Sequence, residues 1–163
     1  MKATDVLKHS LTSTQFILTT YLSDLSDADL LVRPAPGANH LAWQLGHLIS
    51  GEAYLGKDLP GAKYPALPAG FDEQHTKETA ALDDANKFLT KGAYADLFNQ
   101  MRAATVAIVG ALSDADLDRP NPGKMAKFAP TMADLALLIA NHTLMHGGQV
   151  AVLRRKLGKP ILI

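Results

Sequence analysis

The stretch TMADLALLIANHTLMHGGQVAVLRRKLGKP, from Thr131 to Pro160, carries the clearest structural pattern in the chain and predicts one long helix. Thr131 can cap the N-terminus, and Asp134 completes a capping box three residues later. Gly158 suits the left-handed position that closes a helix, and Pro160 prevents its continuation. One stripe with spacings of three and four residues runs along this helix: Leu135, Leu138, His142, His146, Gln149, Leu153 and Leu157.

Two histidines, His142 and His146, lie one turn apart on this stripe, which is expected to face the interior. Imidazoles at positions i and i+4 of a helix can bind the same metal ion. The motif lacks the glutamate that follows the first histidine in metalloprotease helices. The pattern therefore predicts a metal site, but not a protease of that type.

Composition limits the partners of the chain. Its 163 residues predict a single domain, 1–163. The 16 basic and 16 acidic residues cancel, so no net field attracts nucleic acid or an anionic membrane. The absence of cysteine excludes disulfides, thiolate ligands and a cysteine nucleophile. Without a signal peptide or an apolar span, we expect a cytoplasmic protein that binds neither membrane nor nucleic acid.

Three further long helices are predicted from apolar periodicity, over about Thr4–Tyr21, Asn39–Leu55 and Gly92–Leu112, with Asn39 as the cap of the second. Between the second and third, residues 57–91 are rich in proline and glycine. We expect this long irregular connection to contain a short helix, to wrap over the other helices and to shape a pocket rim.

A third histidine, His47, lies on a stripe of the second helix together with Trp43, Gln44 and Gly51. Gly51 follows His47 by one turn, and a glycine there is expected to leave space beside the imidazole.

The hexapeptide LSDADL occurs twice, as Leu25–Leu30 and Leu112–Leu117. Each copy follows a long helix, precedes an Arg-Pro pair and leads into a histidine-bearing helix, so the chain consists of two similar halves. If the halves pair about a pseudo-twofold axis, His47 corresponds to His142. Three histidines then converge inside a four-helix bundle, where metal sites are built from facing helices.

The segments Trp43–Ile49 and His142–Pro160 resemble the two defining segments of the DinB-like superfamily, which includes metal-dependent thiol transferases of the bacillithiol and mycothiol type. The resemblance implies an all-α, four-helix bundle with up-down-down-up connectivity that forms a homodimer. It also implies a divalent metal ion held by His47, His142 and His146, and this chain has a histidine at all three positions.

Three neutral imidazoles leave coordination positions for water or substrate, and nitrogen ligands suit zinc, nickel, iron or copper. Histidine ligands usually hydrogen-bond through their second nitrogen. Gln44 and Gln149, each three residues from a predicted ligand, can supply that bond or line the pocket. Trp43 is expected to pack in the core or to form a platform for substrate.

Four other ionisable residues are not expected to bind the metal ion. His40 lies two turns before His47 and is expected at the pocket mouth or on the surface. His9 and His75 show no partner pattern and are expected to be solvated. Glu52 is turned away from the histidine face, so we expect it to support a ligand or to join two helices.

Two functions fit these observations. One is a metal-dependent transferase or hydrolase that acts on a small molecule, with a low-molecular-weight thiol as a possible second substrate. The other is a non-catalytic stress-response bundle that binds a metal or small ligand and acts through dimerisation. A structural metal site would be closed by a fourth protein ligand. The sequence offers no obvious fourth ligand, which favours an open site.

Overall fold

The computed structural model describes the whole chain, Met1–Ile163, and contains six α-helices and no strand. Four helices are long: α1 (Ala3–Leu22), α2 (Leu41–Gly56), α4 (Lys91–Gly110) and α6 (Met132–Lys156). Two single-turn helices, α3 (Phe71–Gln74) and α5 (Asp114–Leu117), lie in the connections. The predicted all-α bundle is confirmed, and the long helices begin and end within about two residues of their predicted limits. None of the helices combines the length and apolar character that crossing a membrane requires.

Helix caps explain where these elements begin and end. Thr131 Oγ1 accepts a hydrogen bond from the Asp134 backbone N–H at 3.2 Å, and the Asp134 carboxylate accepts from the Thr131 N–H at 3.0 Å. Gly158 has φ +68°, the left-handed conformation predicted for it. The cap predicted for α2 is wrong by one residue. The N-cap is His40 rather than Asn39, and His40 Nδ1 accepts a hydrogen bond from the Trp43 N–H at 3.1 Å.

The helices α1 and α2 lie on one diagonal of the bundle, and α4 and α6 lie on the other. Both α1 and α2 pack against α4 and α6. Ile17 and Tyr21 of α1 meet Gly147 and Arg154 of α6 in the same order, so these two helices run parallel.

The α2 helix runs antiparallel to α6. Gln44 lies beside His146, whereas Gly51, further along α2, lies beside the earlier residue His142. Likewise, α1 runs antiparallel to α4, since Gln15 hydrogen-bonds Asn99 near one end and Lys8 lies against Gly110 near the other. Together these directions give the predicted up-down-down-up connectivity.

The repeated hexapeptide forms the same capped turn twice. Asp29 accepts from the Ser26 backbone N–H at 2.8 Å, and Asp116 accepts from the Ser113 N–H at 3.0 Å. The final leucine of each copy is buried. The buried leucine of each turn thus packs in the core just after a long helix ends and before the next long helix begins.

Residues 57–90 connect α2 and α4 and run over the outside of α2. They include α3 and two 3-10 turns, Lys77–Thr79 and Ala85–Lys87. Phe71 and His75 are buried, and the Tyr64 hydroxyl lies 3.0 Å from Thr105 Oγ1 of α4. As expected, this connection wraps over the bundle and forms part of a cleft wall.

Candidate metal centre

The structure brings the three predicted ligands together. The ring centroids of His47 and His142 are 5.0 Å apart, those of His142 and His146 are 5.0 Å apart, and those of His47 and His146 are 5.5 Å apart. One ring nitrogen from each histidine lies within 4.8 Å of the other two. Metal–nitrogen bonds of such sites are about 2.0–2.1 Å long, so small side-chain rotations suffice for the three nitrogens to reach one ion. The donor set therefore fits a divalent metal.

The histidines are held in their neutral, metal-binding form. Partial burial lowers the pKa of His47. Burial, together with the neighbouring charges of His47 and Arg102, lowers the pKa of His142 to about 4. Burial, together with its two histidine neighbours, lowers the pKa of His146 to about 3. Since burial is the largest cause of each lowered pKa, the three side chains stay neutral at pH 7 and keep their lone pairs available.

Gln44 sets the tautomer of one ligand. Its side-chain oxygen lies 3.0 Å from His146 Nδ1, and because that oxygen can only accept, Nδ1 carries the proton. The Gln44 amide donates to the Asn39 carbonyl at 2.6 Å, which fixes the orientation of the carboxamide. The lone pair of His146 is therefore on Nε2, the nitrogen left for a metal ion.

A cleft of about 480 Å³ opens beside the histidines and includes both His47 and His146 in its lining. Trp43 forms a flat part of this cleft, stacked on the His47 ring at 5.1 Å with 8° between the planes. Its indole N–H donates to the Thr76 carbonyl at 2.9 Å, which holds the ring against the connection. Trp43 is thus both buried, with 5% of its surface exposed, and part of the cleft.

The cluster remains accessible to solvent. The ring nitrogens of His47 and His142 make no hydrogen bond within the chain, yet no fully buried side-chain nitrogen or oxygen lacks a partner. These nitrogens must therefore retain contact with water. The group contains three histidines and no fourth protein ligand, as an open site requires.

A second, shallower groove passes on the other side of His47. It is lined by His47, Ser50, Gly51, Tyr54 and Asp72. The Ser50 hydroxyl donates to Asp72 Oδ1 at 2.6 Å, which positions the carboxylate. Asp72 is the one acidic residue in the two clefts that contain His47. No pattern in the sequence singles out Asp72, because its position near His47 depends on the path of residues 57–90.

Beneath the histidines lies a buried ion pair between Arg102 and Glu52. The guanidinium donates to both carboxylate oxygens, at 2.8 and 2.9 Å, and to Thr143 Oγ1 at 2.7 Å. Thr105 donates to Glu52 at 2.6 Å. Glu52 thus joins α2 to α4, which is one of the two roles expected for it. Arg102 was missed, although a single arginine on the apolar face of the third long helix was a readable signal.

Two expectations about histidines are wrong. His40 is fully buried rather than at the surface: Nε2 donates to the Leu82 carbonyl at 2.9 Å while Nδ1 caps α2. His75 is buried rather than solvated, with Nδ1 donating to the Phe71 carbonyl at 2.7 Å and Nε2 accepting from the Tyr94 hydroxyl at 2.8 Å. Both are buried by the connection between α2 and α4. His9 is exposed, as expected.

Two other residues differ from their expected positions. The space left by Gly51 adjoins His142 rather than His47, since a Cβ on Gly51 would lie 3.3 Å from His142 Cε1. Gln149 is exposed on α6 and has no side-chain hydrogen bond to a histidine. Of the two glutamines considered, only Gln44 contacts a predicted ligand.

Comparison with known proteins identifies the class. The model of the DinB superfamily matches residues 10–150, and the chain belongs to that superfamily. Among curated proteins, no match is found.

Two solved structures share the fold. YfiT from Bacillus subtilis, described as a probable metal-dependent hydrolase with an unusual four-helix bundle topology, superposes with a TM-score of 0.71 and 16% identity, covering 96% of this chain and 89% of that one. A conserved protein from Enterococcus faecalis gives a TM-score of 0.70 and 18% identity, with coverage of 98% and 99%. At these identities the likeness shows the fold.

Proposed function

We propose that this protein is a metal-dependent enzyme that hydrolyses or transfers a group on a small molecule. The observation that carries the proposal is the set of three neutral imidazoles with no fourth protein ligand, two of which, His47 and His146, line a solvent-accessible cleft. Membership of the DinB superfamily and the description of YfiT as a probable metal-dependent hydrolase support it.

The ion would be held by His47, His142 and His146. A divalent ion held there would supply Lewis acidity, which could polarise a carbonyl or phosphoryl group of the substrate. Gln44 keeps His146 in the ligating tautomer, and Trp43 restrains the His47 ring by stacking. Asp72, anchored by Ser50, can accept a proton from a nucleophile in the adjacent groove.

The nucleophile distinguishes hydrolysis from transfer. Water would make the protein a hydrolase, and a low-molecular-weight thiol would make it a transferase. Because the chain contains no cysteine, a thiol must enter as a second substrate. Zinc, nickel and iron all suit three nitrogen ligands, and metal analysis decides among them.

Metal content tests the centre directly. We expect the purified chain to contain or take up close to one divalent ion, and His142→Asn to lose it. His9→Asn replaces an exposed histidine away from the cluster and should keep the ion. Elemental analysis after supplementation with zinc, nickel or iron is the measurement. A wild-type chain that stays metal-free in all three cases would refute the proposal.

Catalysis is tested separately with the Asp72→Asn variant. With p-nitrophenyl acetate as a probe, the metal-loaded chain should release nitrophenolate, and a supplied thiol should accelerate release if the protein is a transferase. Asp72→Asn should lower kcat by about 100-fold or more while metal content is unchanged. Metal binding without turnover of ester or thiol probes would favour the alternative of a non-catalytic binding protein.

A further inference from the structure

Two clefts meet beside the histidine cluster. The inner cleft, already described, contains His47 and His146; the outer cleft, of about 440 Å³, extends away from them along the connection. Asn39, Lys77 and Ala80 line both clefts and therefore mark their junction. A molecule that fills the inner cleft has the histidines at one end and this junction at the other.

The junction carries a positive charge that forms no salt bridge. Lys77 is the one charged side chain in the inner cleft at pH 7, and it forms no ion pair. Arg33, in the outer cleft, is instead neutralised by Asp83, to which it donates from Nε at 3.1 Å and from Nη2 at 2.7 Å. Arg33 also donates to the Ala80 carbonyl, so its role is to hold the cleft wall. Lys77 remains free to bind a ligand.

Asn39 offers a second free donor at the same place. The residue is half-buried, and its backbone carbonyl accepts from Gln44. Its side-chain carboxamide makes no hydrogen bond within the chain, so two N–H donors are unused. An ammonium group next to a carboxamide can bind a carboxylate or phosphate through charge-assisted hydrogen bonds.

We propose that the substrate is a small organic anion whose carboxylate or phosphate group binds Asn39 and Lys77, with its apolar body against Trp43. The anchored end keeps the remainder of the molecule in the inner cleft, whose volume of about 480 Å³ is typical of small-molecule sites. This inference rests on the proposed function for the reaction at the histidines. The anion contact itself requires no metal ion.

The single tryptophan of the sequence lines this cleft, so its fluorescence reports occupancy without reference to activity. The full-length chain, metal-stripped or zinc-loaded, is titrated at pH 8 with phenylacetate, phenyl phosphate and the neutral phenylacetamide. At least one anion should bind about fivefold or more tightly than the amide. Lys77→Gln and Asn39→Ala should abolish this preference, whereas Lys77→Arg should keep it. Lys87→Gln, an exposed position on the same connection, is the matched control and should change nothing.

Equal affinity for anions and amide, an unchanged preference in Lys77→Gln, or no saturable change with any probe would overturn the anion site. Metal analysis of the same samples separates the two proposals. A chain that binds no metal but prefers anions refutes the metal centre and supports the anion site. A chain that binds metal without any anion preference supports the metal centre and refutes the anion site.

Discussion

At the scale of single residues, the contact between Gln44 and His146 makes a prediction about metal affinity. Gln44→Ala removes the acceptor for His146 Nδ1 and frees the other tautomer, so metal affinity should fall by roughly 10- to 100-fold. Gln149→Ala removes an exposed glutamine one turn beyond the same histidine and should leave affinity unchanged. Competition with a chromophoric chelator measures both values. Equal losses in the two variants would contradict the assigned role of Gln44.

A second prediction concerns His40 and pH. Burial lowers the pKa of His40, a nearby Arg33 lowers it further, and the Leu82 carbonyl and Asp83 oppose these effects. In the unfolded chain the imidazole titrates near pH ~6.5. Below that pH the unfolded state binds more protons than the folded state, so this group lowers the free energy of unfolding as pH falls through the window between the two pKa values.

Replacing His40 by asparagine tests this linkage. Asparagine can still cap α2 but cannot be protonated in this range. Denaturant unfolding of the metal-free protein between pH 7.5 and about 4.5 should show a smaller stability loss for His40→Asn than for the wild type. The remaining histidines are common to both proteins and cancel in the comparison. Parallel stability curves would show that His40 has the same pKa in the folded and unfolded states, and would contradict this prediction.

At the scale of elements, the ion pair between Arg102 and Glu52 connects α4 to α2 through a buried network. Removing one partner leaves the other charge buried without compensation, which costs about 3–5 kcal/mol. We expect Glu52→Leu to destabilise the protein by that amount. The double variant with Arg102→Met should be more stable than Glu52→Leu alone, because no buried charge remains. Chemical denaturation of the single and double variants gives the coupling energy, and simple additivity would contradict the ion pair.

The helices themselves were predictable because their signals are local. Thr131, Asp134 and Gly158 mark the limits of α6 through hydrogen bonds and a φ value that depend only on neighbouring residues. The convergence of His47 with His142 followed from the repeated hexapeptide, since both copies form the same capped turn.

The two wrong expectations about histidines have one physical cause. His40 and His75 are buried by residues 57–90, whose path is set by tertiary contacts such as that of Phe71 with α2, and no periodic pattern in the sequence encodes it. The same connection carries Asp72 and Lys77 to the clefts. The convergence of the three histidines was therefore readable from the sequence, whereas the residues of the connection that line the clefts were not.

At the scale of the whole molecule, we predict a homodimer that uses the outer faces of α1 and α6. These parallel helices expose several large apolar side chains: Leu137 (38%), Leu144 (46%), Met145 (60%) and Val152 (45%) on α6, and Phe16 (62%) on α1. On α6 they recur every seven or eight residues and so share one side of the helix. Burying such a face in a symmetric contact would remove this apolar surface from water.

Charge placed on this face should separate the subunits. In sedimentation velocity at micromolar concentration, the wild type should behave as a dimer and Val152→Glu as a monomer, because an unpaired carboxylate in an apolar contact is costly to desolvate. Phe128→Glu alters an apolar residue that is 75% exposed elsewhere on the surface and should remain dimeric. A monomeric wild type would refute the dimer, and a dimeric Val152→Glu would place the interface on another face. Since α6 also carries His142 and His146, metal content measured on the same samples shows whether the centre depends on association.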